Sequence, residues 1–187
     1  MKNINFKYLY RRTEQLLMVP ETVWPEALNE TNSGKELYRN YLIPITMVIS
    51  IMVLLINLIN YNFWQATGLT IINLIAMLIG NWFAYLITRE YLCRKLSFDT
   101  NLALSGVIFI IFHSIGNALG NIFLGQLFTL LSFIFIRTLY KGLGQIPRLH
   151  PGQKTNILVI SSLAIICIPV IINQLLMIIF GISAFNI

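Results

Sequence analysis

The residues of this 187-residue chain best suited to metal or nucleophilic chemistry are two histidines and two cysteines, and their spacing serves neither. His113 lies inside a long apolar run, and His150 lies in a basic segment at the run's far side. Zinc needs three or four converging ligands, and no cluster of His or Cys accompanies either ring. His113 is left as a metal ligand, a proton carrier or a buried hydrogen-bond donor, of which only the last needs no missing companion. Cys93 is expected in the cytoplasm and Cys167 within the last apolar run, so no disulfide is expected between them. Cys93 is a free thiol or a site of lipid modification beside the membrane. The chain has no H-E-x-x-H, no facing carboxylate pair and no G-x-S-x-G turn. Lys141, Gly142, Leu143 and Gly144 suggest a phosphate nest, but no Lys-Ser pair follows. No catalytic residue, metal site or cofactor site is expected.

Uncharged polar residues are plentiful and recur at helical spacing. Thr46, Ser50 and Asn57 share one face of a first apolar run. Asn73, Ala76, Gly80 and Ala84 share a face of the second, with Asn81 at its edge. Gly106, His113 and Asn117 align in the third, Asn121, Gly125 and Ser132 in the fourth, and Ser162, Pro169 and Asn173 in the fifth. Small residues let helix backbones approach, and amide or hydroxyl groups hydrogen-bond across at about 0.6 to 2 kcal/mol each. Two readings stand: helix packing, or a polar interior lined by Asn57, Asn73, Asn81, His113, Asn117, Asn121 and Asn173. Gly116 and Gly120 match G-x-x-x-G but are expected to straddle a turn.

The elements that must position these residues are membrane spans. A chain that is 57% hydrophobic and 11% charged has too little polar surface to cover a soluble globule. Five apolar runs occupy about 41–60, 69–87, 102–116, 122–140 and 157–180; about 20 helical residues cross about 30 Å of hydrocarbon. Pro169 is expected to kink the fifth. All thirteen Lys and Arg fall in the N-terminal tail, in 89–95 or in 137–154. The connections at 61–68 and 117–121 and the C-terminus carry none. Basic residues stay on the cytoplasmic side of short loops, which predicts the N-terminus inside and the C-terminus outside. The net charge of +6 then points to an anionic inner leaflet, at about 1 kcal/mol per basic residue near the surface, and not to nucleic acid. The first long apolar run begins at Tyr41, so the first span is expected to act as its own insertion signal.

The predicted fold class is an all-α integral membrane protein, a bundle of five transmembrane helices (41–187) preceded by a cytoplasmic tail (1–40). In the tail, Phe6, Leu9, Thr13, Leu16 and Leu17 recur at helical spacing while Lys7, Arg11 and Glu14 share another face. This predicts an amphipathic helix on the inner leaflet, ended by Pro20. A second short helix is expected near 26–29, and a break at Thr31, Asn32, Ser33 and Gly34. Arg11, Arg12, Arg94, Lys95, Lys141 and Arg148 are the candidate cytoplasmic contacts.

The tail carries Leu17, Val19, Pro20, Glu21 and Trp24, and leads into the first span through Leu37-Tyr38-Arg39-Asn40-Tyr41-Leu42-Ile43-Pro44. Between the last two spans come Leu139-Tyr140-Lys141-Gly142-Leu143, Pro147 and Lys154. Together these resemble the bacterial branch of the Yip family, small multi-span proteins named for interaction with Ypt/Rab GTPases. The resemblance implies a cytoplasmic tail, five helices and no known enzymatic role. In eukaryotic members it implies Rab binding, hetero-oligomerisation and work in traffic between endoplasmic reticulum and Golgi. Those relatives have an Asp-Leu-Tyr-Gly-Pro-like motif before the first span; here Pro44 is kept without the acidic residue or the glycine.

The leading expectation is a non-enzymatic membrane protein, in a bacterial inner membrane by the family branch, acting through partner assembly or membrane organisation. Its partners would be anionic lipids, other membrane proteins or further copies of itself. The alternative is a permease or channel for a neutral or amphipathic small molecule. A third option is an intramembrane enzyme centred on His113.

Overall fold

The computed structural model describes residues 6–29, 34–92, 102–120, 122–145 and 150–181. The described residues are helical throughout and contain no strand. They form α1 (Phe6–Met18), α2 (Pro20–Asn29), α3 (Gly34–Leu37), α4 (Ile43–Asn60), α5 (Phe63–Leu92), α6 (Leu102–Leu119), α7 (Phe123–Leu131), α8 (Ile134–Gly144) and α9 (Pro151–Phe180). A π turn over Tyr38–Leu42 joins α3 to α4. Pro44 has no N–H to give to the carbonyl four residues back, and the wide turn just before it is closed by the Ile43 N–H reaching Tyr38 O.

Four stretches are long and apolar enough to cross a membrane: Tyr38–Asn60, Phe63–Thr88, Phe123–Gly144 and Pro151–Phe180, of 23, 26, 22 and 30 residues. Their apolar faces point outward. On α4, Met47, Ile51, Leu55 and Ile59 are exposed at a spacing of four, and on α5 so are Ile71, Ile75, Ile79, Phe83 and Ile87. The polar residues of both helices face inward: Thr46, Ser50, Asn57, Asn73 and Asn81 are all buried. Such an inverted pattern suits a lipid solvent, because hydrocarbon satisfies apolar side chains and leaves polar groups to find partners inside.

The remaining apolar run, α6, is 18 residues long, and its apolar part Gly106–Leu119 is shorter than the four stretches above. Val107, Ile108, Phe109 and Ile110 are consecutive and all buried. Four successive residues sweep a full helical turn, so over that turn the helix is enclosed on every side. It packs against α4, α5, α7, α8 and α9 and touches α1. The run that was shortest in the sequence is therefore the axis of the bundle.

Several boundaries differ from the sequence reading. The connection expected over 61–68 shrinks to Tyr61 and Asn62, because the Asn62 side chain accepts a hydrogen bond from the Gln65 N–H at 2.9 Å and caps α5 early. The span expected at 122–140 is broken between α7 and α8. There the Ser132 hydroxyl donates to Thr129 O at 2.6 Å and the Phe133 N–H to Leu130 O at 3.1 Å, a tightening that bends helices. Pro169, where a kink is expected, lies inside α9, which runs from Pro151 to Phe180. Gly80 lies against it, and a Cβ there would stand 2.5 Å from Pro169 Cα. The G-x-x-x-G match splits as expected: Gly120 ends α6 with φ 67°. Gly116 instead meets Gly125 of α7, where a Cβ would stand 3.0 Å from Gly116 O.

The tail is docked on protein. Leu9 and Leu16, expected to face lipid, are buried in the bundle, Leu16 with 0% exposure. The second helix begins at Pro20, earlier than expected, and carries Trp24 into a slot over Gly142, where even a methyl group would overlap the indole. Trp24 Nε1 donates to Thr138 O at 3.0 Å, and the Thr13 and Tyr41 hydroxyls are 2.8 Å apart. Truncating a buried Trp costs about 3–5 kcal/mol. Trp24→Ala is therefore expected to release the tail, read as faster trypsin cleavage at Lys7 and Arg11, and Gly142→Leu to do the same by filling the slot. Gly80→Leu is expected to lower the melting temperature in detergent through overpacking of about 1–3 kcal/mol or more.

Candidate functional site

The polar stripes are inward, but most of their hydroxyls bond within their own helix. Thr46 donates to Leu42 O and Ser50 to Thr46 O, both at 2.8 Å. Thr70 and Thr88 do likewise, to Ala66 O at 2.8 Å and Ala84 O at 2.7 Å. A bond between stripes runs from Asn57 Nδ2 to Thr70 Oγ1 at 3.1 Å and ties α4 to α5. These groups thus satisfy themselves locally, and what they contribute between helices is chiefly their small size.

At one end of the bundle the stripes part and leave a cleft of about 460 Å³. It lies where α4, α6 and α9 finish and α5 begins, opposite the end that carries the docked tail. Asn57, Asn73, Asn117 and Asn173 line it. Asn73 is only 4% exposed, and its Oδ1 is buried without a hydrogen-bond partner. Asn173 Nδ2 points to Met177 Sδ at 3.6 Å, a weak acceptor. Val53, Leu69, Leu119 and Met177 supply apolar walls.

The other candidates lie elsewhere. Asn81 is buried outside the cleft; its Nδ2 donates to Met77 O at 3.0 Å, and its Oδ1 fills the space a side chain at Gly106 would need. His113 is half-buried, and its ring stacks on Phe109 with centroids 4.8 Å apart and planes 12° from parallel. Asn121 lies outside the described residues. Asn60, Tyr61, Ser114 and Gln174 also line the cleft and were not singled out in the sequence. Asn60 stands one turn beyond Asn57, a spacing that places both on one face. Ser114 and Gln174 adjoin stripe residues, and at a splayed helix end neighbouring residues share one opening.

Among the cytoplasmic candidates, Arg94, Lys95 and Arg148 lie outside the described residues. Arg11 is exposed, as a contact residue would be. Arg12 is not: it is buried, with its guanidinium 5.6 Å and 5.8 Å from the ring centroids of Tyr8 and Tyr41. It also donates to the Tyr8 hydroxyl. Position 12 shares a helix face with Leu9 and Leu16, and that face is turned into the bundle. Cations held over aromatic rings are stabilised electrostatically, which lets this one be enclosed. Lys141 is paired with Glu21 at 2.6 Å, and Lys154 lies 4.2 Å from the Tyr140 ring centroid.

The hydrogen bond and charge of Lys141 hold the Glu21 carboxylate below its ordinary value, with Arg137 adding to the effect. A lowered carboxylate contributes stability above its unfolded value, near 4.5, and loses it as pH falls through the folded one. Acidification below that point is expected to loosen α2 on α8, read by Trp24 fluorescence, and Glu21→Gln to remove this step. Set beside family models, curated proteins and solved structures, the chain matches none of them.

Proposed function

We propose that this chain is a non-enzymatic, five-pass membrane protein that works by assembling partners at its cytoplasmic end, in the manner of the Yip family it resembles. α6 is the fifth pass in this reading. Its enclosure among the other helices is what a central span requires, and its 18 residues rise about 27 Å. The tail end of the bundle carries Arg11, Arg12, Arg39, Arg137, Lys141 and Lys154, while the cleft end, at 57–70 and 114–120, carries no Lys or Arg. That asymmetry supports a cytoplasmic N-terminus and an external C-terminus, in a bacterial inner membrane by the family branch.

The observation that carries the assembly reading is the docked tail. Trp24 in its slot makes α1 and α2 a built part of the bundle, and their outer side presents Arg11, Tyr10 and Met18, all exposed. A rigid basic and aromatic surface beside the bilayer suits a partner membrane protein and the anionic lipid around it.

Affinity purification in mild detergent tests this. The full chain is expected to carry membrane-protein partners that are lost when residues 1–34 are deleted. They are also expected to be lost in Trp24→Ala, which keeps the tail but undocks it. Partners retained in full by both variants would refute the assembly reading.

A further inference from the structure

We infer that the cleft at the end opposite the tail is a binding site for a small, uncharged molecule of the polyol class. The inference goes beyond the assembly reading and does not rest on it. Its starting point is Asn73, a residue that lines the cleft and whose carbonyl oxygen is buried and unpartnered just behind that lining. An amide oxygen withdrawn from water without a hydrogen bond is costly, so the site lacks a donor. The amide nitrogen of Asn57 is committed to Thr70, which leaves its oxygen as a second acceptor. Asn173 has only a thioether to donate to, and a ligand hydroxyl would be a better acceptor. The occupant must therefore both donate and accept, as an alcohol does.

Charge narrows the choice further. Among the described residues, no Asp, Glu, Lys, Arg or His lines the cleft, so an ionised ligand would lose its hydration with no counter-charge in return. Acceptors on one side and aliphatic walls on the other suit a molecule with hydroxyls on a carbon backbone. The volume of about 460 Å³ is within the range of small-molecule pockets and well above the roughly 30 Å³ that one bridging water occupies. A free polyol and the glycerol headgroup of a neutral lipid share this chemistry.

The test uses the full chain in mild detergent, with both native cysteines replaced by serine and Asn117→Cys as a reporter at the cleft mouth. Its maleimide labelling is followed with glycerol, erythritol, monooctanoylglycerol, glycerol phosphate and glycine betaine. The concentration is raised to about 0.1 M, because a few hydrogen bonds support only millimolar affinity. The neutral probes are expected to slow labelling, and the two charged ones to leave it unchanged. Protection by glycerol or erythritol assigns a free solute, and protection by the monoglyceride alone assigns a lipid headgroup. Asn73→Leu is expected to weaken protection about tenfold by removing the acceptor. Asn173→Val provides the same reading if the first variant fails to fold. If no neutral probe slows labelling, if charged probes protect equally, or if a folded variant protects as well as the parent, the cleft holds water and the inference is wrong.

Discussion

Enclosure of α6 on every side is the constraint on which the rest of this structure depends. Val107 to Ile110 are consecutive and all buried, so α6 must be surrounded at that turn, and α4, α5, α7, α8 and α9 all pack against it. Surrounding it with so few helices demands close approach. The missing side chains at Gly106, Gly116 and Gly125 allow that at α6, and Gly80 lets α5 lie on the proline of α9. In lipid there is no hydrophobic drive to bring helices together, so van der Waals contact of this kind does most of the holding.

The same packing separates two regions of different character. Midway along the bundle, Asn81 against Gly106 and Pro169 against Gly80 leave no room for a side chain. At the tail end, aromatic rings, a buried guanidinium and the docked helices close the bundle over. At the far end, by contrast, the bundle holds a cleft lined by asparagines. Buried asparagines thus differ: Asn81 donates to Met77 O midway along the bundle, whereas the Asn73 carbonyl oxygen beside the cleft has no hydrogen-bond partner.

Much of this was legible in the chain. A helical period, the lack of charge within apolar runs and the segregation of Lys and Arg suffice for an all-helical architecture with helices fit for lipid, because backbone groups in hydrocarbon must bond internally. The inward polar stripes were legible too, since spacing on a helix is angular position. The amphipathic tail was visible as a helix with an apolar face. What covers that face was not, because Leu9 and Leu16 are equally satisfied by acyl chains and by protein, and Trp24 finds its slot only where Gly142 lies 118 residues further on in the sequence.

Sequence by itself thus determined the helical class, the runs apolar enough to cross a membrane and the faces that turn inward, all properties of one helix considered alone. Tertiary structure decided that the shortest apolar run is the axis, that Arg12 is enclosed while Arg11 is displayed, and that five asparagines share a cleft while Asn81 and His113 do not. Those outcomes depend on where helices stand beside one another, which is set by close contacts between residues far apart in the chain and is written in no local period.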